Sequence, residues 1–522
     1  MPAVEADAGV RRAEIVMVLS HATDLAIGQP VEYALKACVL GTRLGAALGL
    51  DSRTVREIYY QALLRYIGCN AETDALSALV GDEIAFRSTI ATLDMGDPAD
   101  LGPALVKAIV RAQAGQAFAT MLWGVARGIA TSRRLTVNGF RAHCEAAQHL
   151  ARRLGFDEPV VHNLSQFQER WDGKGLPSGL KGESISQAVR VVALAHDAVV
   201  LEETYGRDAT LAAAKKRRGK LYDPRVADVF IKNADSLLGG LATSSTWDAV
   251  VALEPEGAVR LDEAELDEAC SVLADFVDLK SPFTSGHSRK VASIAAQAGR
   301  LRGMPAADTT VLRRAGLLHD IGQAGISSGI LAKPGPLSES EWEKVRLHPY
   351  HAERILGRPA VFARVAQVVS RHHERLDGSG YHRGAQGDEL SSMVRILTAA
   401  EVYTAMSESR PHRAALTADE AAAHVRREVR EGRLDGDAVA AVLDAAGHRV
   451  PLVRKDRIAG LTSREIEVLR LVTRGQTMKE IGAALGISPK TVDNHLQSLY
   501  AKIGVKTRAG ATLFAVENGL IE

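Results

Sequence analysis

The chain has only four cysteines in 522 residues, Cys38, Cys69, Cys144 and Cys270, and no two of them form a CxxC pair. That excludes a disulfide-stapled scaffold and a cysteine-rich zinc site, and leaves reduced thiols of the kind found in protein cores. Aromatic residues are scarce too, at 5%, and alternating apolar–polar stretches are rare, so an extended sheet has little to build on. The Val189–Leu194 run is apolar but too closely bounded by alanine to read as a strand. No apolar run approaches the roughly 20 residues that span a bilayer. The N-terminal stretch MPAVEADAGVRRAEIV lacks the apolar segment of a secretion signal. These absences lead to the expectation of a soluble cytoplasmic protein with no membrane partner. The formal net charge is only +1, so the whole chain carries no nucleic-acid footprint. The average conceals a local bias: from Arg454 onward 11 Lys+Arg face 7 Asp+Glu, a local +4 against −3 elsewhere. Basic charge collects at the C-terminus, where a DNA contact would use it.

What is present is helical periodicity. Val311, Ala315 and Leu318 recur at i, i+4 and i+7, with Asp308 placed as an N-cap. The length implies two or three domains, and the expected fold class is all-α. Two stretches repeat. LLRYIGC at 63–69 aligns with LLHDIGQ at 317–323, a displacement of 254 residues. QERWDGKGLPSGLKGESI at 168–185 aligns with HERLDGSGYHRGAQGDEL at 373–390, displaced by 205, so the first copy carries about 49 extra residues in its middle. Two tandem copies of one helical module follow from this. The expected boundaries are 1–250, 258–445, a linker at 446–457 containing Pro451 and the RKDR run, and a terminal domain at 458–522.

The second copy holds residue types that suit a metal centre. His287 opens a helix after SPFTSG, His319 and Asp320 end the next, His348 begins another, His372 and His373 end a further one, and Glu401 lies on the one after. Imidazoles and carboxylates on separate helices converge only inside a bundle. Mixed nitrogen and oxygen donors suit manganese or iron, with zinc possible, and Asp320 could bridge two ions. Paired divalent ions acidify a shared water and clamp a phosphoryl oxygen, which is the chemistry of phosphodiester hydrolysis.

The strings TSGHSRKVA, LLHDIGQ, ILAKPGPLSESEWEKVRLHP, RHHERLDGSGYHRG and SESRPHRAAL occur in that order. With them, residues 270–415 resemble the HD-GYP family of metal-dependent phosphohydrolases, whose usual substrate is cyclic di-GMP. The resemblance implies metal ligation by His287, His319, Asp320, His348, His372 and His373, and places Glu401 where the family has aspartate. It assigns substrate phosphate to Arg410 and Arg413, with Lys333 of the KPG loop as a further candidate, a role that guanidinium geometry suits. Three departures stand out: Gln323 where the family's HDIGK has lysine, Glu401 for aspartate, and His382 for the proline of the GYP signature. In the first copy the matching positions are Tyr33, Arg65, Tyr66, Phe167, Gln168 and His196, and a cation would be repelled by Arg65. His143 falls on the His348 position and reads as structural. The first copy is therefore expected to be a degenerate, regulatory module.

In the terminal stretch, Thr462 with Glu465 and Thr477 with Glu480 form capping boxes, and Ser488-Pro489 caps a third helix. That helix offers Val492, Leu496, Leu499 and Ile503 to a core and a polar face outward, the geometry of a major-groove reader. LTSREIEVLRLV, KEIGAALGIS and KTVDNHLQSLYAKIGV resemble the LuxR-type helix-turn-helix, a four-helix domain. The resemblance implies that Lys490, Thr491, Asn494 and His495 meet base edges or nearby phosphates. It also implies that Thr477, Lys479 and Lys502 meet the backbone, and that TRAGATLFAVENGL forms a dimer helix. The expectation is a homodimeric transcriptional regulator coupling a cyclic dinucleotide phosphodiesterase to DNA. The alternative is a non-catalytic nucleotide sensor, or helical modules that only dimerise.

Overall fold

The computed structural model describes residues 9–112, 118–241, 245–255, 258–447 and 458–521. The 446–457 linker expected from sequence lies, from 448 onward, outside the described residues. Apart from a two-residue antiparallel ribbon, Val10–Arg11 with Arg260–Leu261, and isolated bridges, the described residues fold as helices. The all-α expectation holds, and Val189–Leu194 lies within the Gln187–Tyr205 helix.

The chain divides into two compact units, one of residues 1–69 and 78–269, the other of 70–77 and 270–522. This division by contacts sets residues 70–77 and 254–261 by their hydrogen bonds. Arg12 N donates to Val259 O at 2.8 Å, and Arg11 pairs with Glu254 at 3.2 Å, so the ribbon fastens 254–261 to the first unit. The short 70–77 segment goes the other way, because Asn70 Nδ2 donates to Phe276 O and Thr73 Oγ1 to Lys280 O. The terminal domain clusters with the second unit.

The repeat is carried through to helix boundaries. Tyr33–Ala47 and Ser52–Leu64 correspond at a displacement of 254 to His287–Leu301 and Ala306–Leu318, and Glu158–Leu164 corresponds at 205 to Ala363–Val369. The extra residues of the first copy build Thr73–Val80, most of which belongs to the second unit, and Glu83–Ile90 and Pro98–Ala112, which belong to the first. The Ala306–Leu318 helix starts two residues before the expected cap. Pro305 precedes it, while Asp308 sits in its first turn and receives Arg364 at 2.6 Å.

One close approach recurs in both units. A Cβ on Gly322 would lie 2.0 Å from His348 O, and one on Gly68 would lie 2.0 Å from His143 O. Only glycine lets the turn after the second helix of each module meet the facing backbone. The terminal domain forms Ser463–Thr473, Met478–Leu485, Pro489–Ile503 and Arg508–Glu517, around a core that includes Val468, Leu469, Ile481, Val492 and Leu499. Its first three helices carry the caps expected at Thr462, Thr477 and Ser488.

Because neither backbone can retreat cheaply, Gly322→Ala and Gly68→Ala are each expected to lower stability by roughly 1–3 kcal/mol or more. Thermal and denaturant unfolding of each variant checks this, and an unchanged midpoint would refute the close approach.

Candidate metal centre

His287 is the first residue of the His287–Leu301 helix, and its position is set by a buried acid. Asp278 accepts from Ser288 N at 3.0 Å and from Ser288 Oγ at 2.7 Å, satisfying donors at the helix start. Burial pushes the Asp278 carboxyl up to about 7, even though these bonds and His287 pull it down. His319 and Asp320 follow the Ala306–Leu318 helix, just ahead of the 3-10 turn at Ile321–Gly325. His348 starts His348–Leu356, His372 and His373 follow Ala363–Val369, and Glu401 lies inside Ser392–Met406.

These helix ends bring all seven donors together in two groups, Asp320 with His348, His372 and His373, and His287 with His319 and Glu401. Asp320 joins the groups. Its Oδ1 lies 3.3 Å from His348 Nε2 and 3.8 Å from His372 Nε2, while its Oδ2 lies 3.3 Å from His319 Nε2 and 3.8 Å from His287 Nε2. Glu401 Oε2 is 2.9 Å from His287 Nε2 and 3.6 Å from His319 Nε2, so the longer side chain still reaches the centre. His373 stacks on Tyr381 with ring centroids 4.7 Å apart.

The outer nitrogens of four of the five imidazoles are engaged. Nδ1 of His319, His348 and His372 faces the carbonyl oxygens of Gly316, Val345 and Val369 at 2.9, 2.7 and 2.6 Å, and His287 Nδ1 faces Glu408 Oε2 at 2.8 Å. At His348 and His372, donation along these contacts assigns the proton to Nδ1 and the lone pair to Nε2, the tautomer a metal-binding imidazole needs, while Nε2 of His287 and of His319 faces a carboxylate. His348 and His372 then bring two such nitrogens within 3.1 Å, an approach that repels unless a cation lies between them. His287 Nε2, His319 Nε2, Asp320 Oδ1 and Glu401 Oε2 are buried without a hydrogen-bond partner. Buried donors of this kind, left unsatisfied by the protein, fit divalent ions.

The electrostatics agree. Burial opposes charge on His319, but Asp320 and Glu401 outweigh it and hold the imidazole up at about 10; Glu408 and Glu401 likewise raise His287. Asp320 and Glu401 stay well below the usual carboxylate range despite burial, because the imidazoles face them. His372, buried beside His319 and His348, falls to about 3, and burial lowers His373 as well. Positive charge is thus demanded between the carboxylates and the first two imidazoles.

Among the phosphate candidates, Arg410 lies beside the centre. Its Nη2 donates to Glu408 Oε2 at 3.3 Å, and Glu408 is the partner of His287. Arg413 is turned onto backbone instead, donating to Ala405 O at 2.7 Å and Met406 O at 2.9 Å and so capping a helix end. Lys333 pairs with Glu341 at 2.7 Å. His382 packs 6.0 Å from Tyr350 and joins neither donor group. Two residues were not singled out in the sequence: Asp278, and Glu408, whose one visible signal is an acid two residues before Arg410. A third, Glu374, is fully buried and accepts from Arg383 N at 2.8 Å, fixing the loop that follows the paired histidines.

In the first unit, Tyr33, Tyr66, Phe167 and His196 pack as rings 5.1–6.3 Å apart, with His143 stacked on Phe167 at 3.8 Å. The Arg65 guanidinium lies over Tyr66 and Phe167, and its Nε and Nη1 are buried without partners. No cluster of metal donors forms here among the described residues. The WDGKGLPSG loop survives because Glu169 accepts from Ser178 N, Gly179 N and Leu180 N, needing no metal.

The helix-turn-helix candidates divide as well. Thr477, Lys479, Lys490 and Asn494 are exposed, although Lys490 pairs with Asp493 at 2.9 Å; Thr491 and His495 are half-buried on the same helix. Lys502 is bound at 2.7 Å to the buried carboxylate of Glu465, which gives it a structural task within the domain.

Comparison with known proteins completes the picture. The HD domain profile matches residues 131–226 and 271–438, falling on both units, and the bacterial regulatory luxR family profile matches 459–515. The 3'3'-cGAMP-specific phosphodiesterase 3 of Vibrio cholerae is 32% identical over 422 residues, 79% of this chain and 89% of the relative. The chain belongs to the HD-GYP family. Within that family it carries a LuxR-type domain at its end. It is also 31% identical to the cyclic di-GMP phosphodiesterase response regulator RpfG of Xanthomonas campestris, over 35% of this chain and 50% of that one. The crystal structure of a cyclic GMP-AMP-specific phosphodiesterase of V. cholerae matches 85% of the chain and 99% of its own, with a TM-score of 0.58 and 29% identity. No helix among the described residues is long and apolar enough to cross a membrane.

Two outcomes follow for this HD-GYP centre. Since His287 and His319 are held protonated at neutral pH whereas His372 and His373 are not, metal binding is expected to release protons, and affinity to rise with pH. Calorimetry in buffers of different ionisation enthalpy reads this directly, and a buffer-independent heat would contradict it. Glu408→Gln, which weakens the hold on His287, is expected to cost about 10–100-fold in metal affinity, measured by competition with a chelator.

Proposed function

We propose that the protein is a metal-dependent phosphodiesterase of cyclic dinucleotides, either cyclic di-GMP or 3'3'-cGAMP, whose state is passed to a DNA-binding domain. The observation that carries this reading is the set of buried donors divided into two groups by Asp320. His287, His319 and Glu401 would hold one divalent ion, and His348, His372 and His373 another, with Asp320 shared; manganese or iron suits them best. When bound, such ions acidify a shared water and draw charge from a phosphoryl oxygen.

The protein's own groups do the rest. Glu408 orients His287 and also holds Arg410, so the guanidinium enters the site next to a ligand and can take a non-bridging phosphate oxygen. Arg413 and Lys333 would have to leave their present partners to assist. Burial keeps water other than the reacting one away from the donors, and the Tyr381 ring fixes His373. Gln323, uncharged where relatives are expected to have lysine, favours the second reading, a site that binds nucleotide and does not cleave it.

Manganese- or iron-loaded protein is expected to linearise cyclic di-GMP or 3'3'-cGAMP. His319→Ala and Asp320→Ala should lose bound metal and turnover by at least about a thousandfold. Tight binding with no linear product would decide for the sensor. Arg410→Ala is expected to raise KM about tenfold, with metal content unchanged.

For DNA, Lys490, Thr491, Asn494 and His495 would face the major groove, with Thr477 and Lys479 on phosphates. Asn494→Ala should relax base discrimination by about 1–3 kcal/mol. Lys490→Ala should reduce the salt slope of binding by about 1. Lys502→Ala, by contrast, should lower the melting temperature of the domain, because it removes the cation facing the buried Glu465 carboxylate. Melting and DNA titrations of the variants separate these roles.

A further inference from the structure

In the first unit the positions of the metal donors are filled by groups of another kind, and one of them is a cation. Arg65 stands where the second unit has His319, directly after the Ser52–Leu64 helix, and only 4% of it is exposed. Its Nε and Nη1 are buried without a hydrogen-bond partner. The guanidinium carbon lies 5.8 Å and 5.1 Å from the ring centres of Tyr66 and Phe167. Ring faces return only part of the hydration that a buried cation gives up. The other buried arginines of this unit are answered: Arg12 donates to Gly155 O, Arg170 to Asp94 and Asp172, and Arg217 to Thr92 O and Asp197. Asp197 feels the Arg65 charge, but its Oδ2 already accepts from Tyr222 Oη at 2.7 Å. Among the described residues, no carboxylate is paired with Arg65.

His196 offers the complement. It stands where the second unit has Glu401, is fully buried, and its ring centre lies 5.4 Å from that of Tyr66. Burial, and next the Arg65 charge, hold the imidazole well below its usual range, so it is neutral. Its Nε2 faces Ala62 O at 3.0 Å, which assigns the proton there and leaves a lone pair on Nδ1. That Nδ1 is also buried without a partner. Around Tyr66 the first unit thus holds unanswered N–H donors on a cation and an unanswered acceptor on a neutral ring. An anion that still carries a proton answers both. Carboxylate, chloride and sulfate carry none at neutral pH, whereas hydrogen phosphate does, and guanidinium suits its oxygens. The depth of both groups favours a small ion over a nucleotide. We propose that the first unit holds a hydrogen phosphate ion at its degenerate centre, with Arg65 donating to its oxygens and its P–OH donating to His196 Nδ1. Where the second unit's donors call for metal ions, the first unit has a fixed cation instead. A guanidinium can hold phosphate but has no coordination position with which to activate water. This site is independent of the function proposed above.

The test uses the full-length, metal-loaded chain with inorganic phosphate as the probe, in equilibrium dialysis of labelled phosphate at constant ionic strength in chloride. The unmodified protein is expected to bind about one phosphate per chain more than Arg65→Met. Any phosphate taken by the second unit is common to both proteins and cancels in the difference. Arg65→Lys, which keeps the charge but not the planar array of N–H donors, should weaken this extra phosphate at least about tenfold. Sulfate, of similar shape but without the proton, should displace it at least about tenfold less well than unlabelled phosphate. Guanosine monophosphate should not displace it. Equal stoichiometry in the unmodified protein and Arg65→Met would overturn the site. Should Arg65→Met not fold, equal affinity in the unmodified protein and Arg65→Lys would do the same. Sulfate competing as well as phosphate would overturn the part given to His196, and displacement by guanosine monophosphate would overturn the free ion as the occupant.

Discussion

Asp320 is a buried carboxylate with imidazole nitrogens on both of its oxygens, and much of the second unit is arranged around that fact. A carboxylate removed from water is costly unless positive charge faces it. His319 supplies that charge on one oxygen, and divalent ions held jointly with His348 from another helix end would supply it on the other. The ends must therefore converge, which brings Ile321–Gly325 against the His348–Leu356 helix so closely that Gly322 has no room for a side chain. Glu401 and Glu408 extend the same charge pattern to His287, and through Glu408 to Arg410.

The first unit shows how far the frame is independent of that chemistry. Three of its helices keep the boundaries of the second unit, and Gly68 keeps the same contact with the residue that stands for His348. At the centre, Tyr33 and Phe167 replace two imidazoles and Tyr66 replaces the aspartate, and Arg65 brings a fixed positive charge into the cluster. The glycine-rich loop persists in both units because a buried glutamate, Glu169 or Glu374, binds its backbone amides. Shape is kept by hydrogen bonds and packing, so the ligand set could be lost without losing the fold.

The departures from the family pattern have unequal weight. Glu401 is accommodated, since its extra methylene still brings an oxygen to His287. His382 lies apart from the donors. Gln323 removes a charge that nothing on the same turn replaces, and it bears on phosphate binding more than on metal binding. The DNA-binding domain depends on none of these, being closed by its own capping boxes and by the Lys502–Glu465 pair.

Much of this was legible in the sequence. Helical period and scarce aromatics were enough for the all-α class, and the repeat, with its displacements of 254 and 205, was visible because glycines and loop residues recur in order. All seven residues that the fold gathers into the two groups could be named, since ligand chemistry limits residue type and the motif supplies order. The division into compact units was not legible, because residues 70–77 and 254–261 are assigned by hydrogen bonds to segments about 200 residues and more away. Glu408 and Asp278 were hidden for the same reason: a lone acid gains meaning only when folding sets a particular imidazole or helix end beside it. Lys502, Lys333 and Arg413 show the converse, basic residues that sequence leaves free for an anion and that tertiary structure binds to a carboxylate or a carbonyl. Residue type and spacing determined which chemistry is available; only the fold decided which of those groups still has a bond to give.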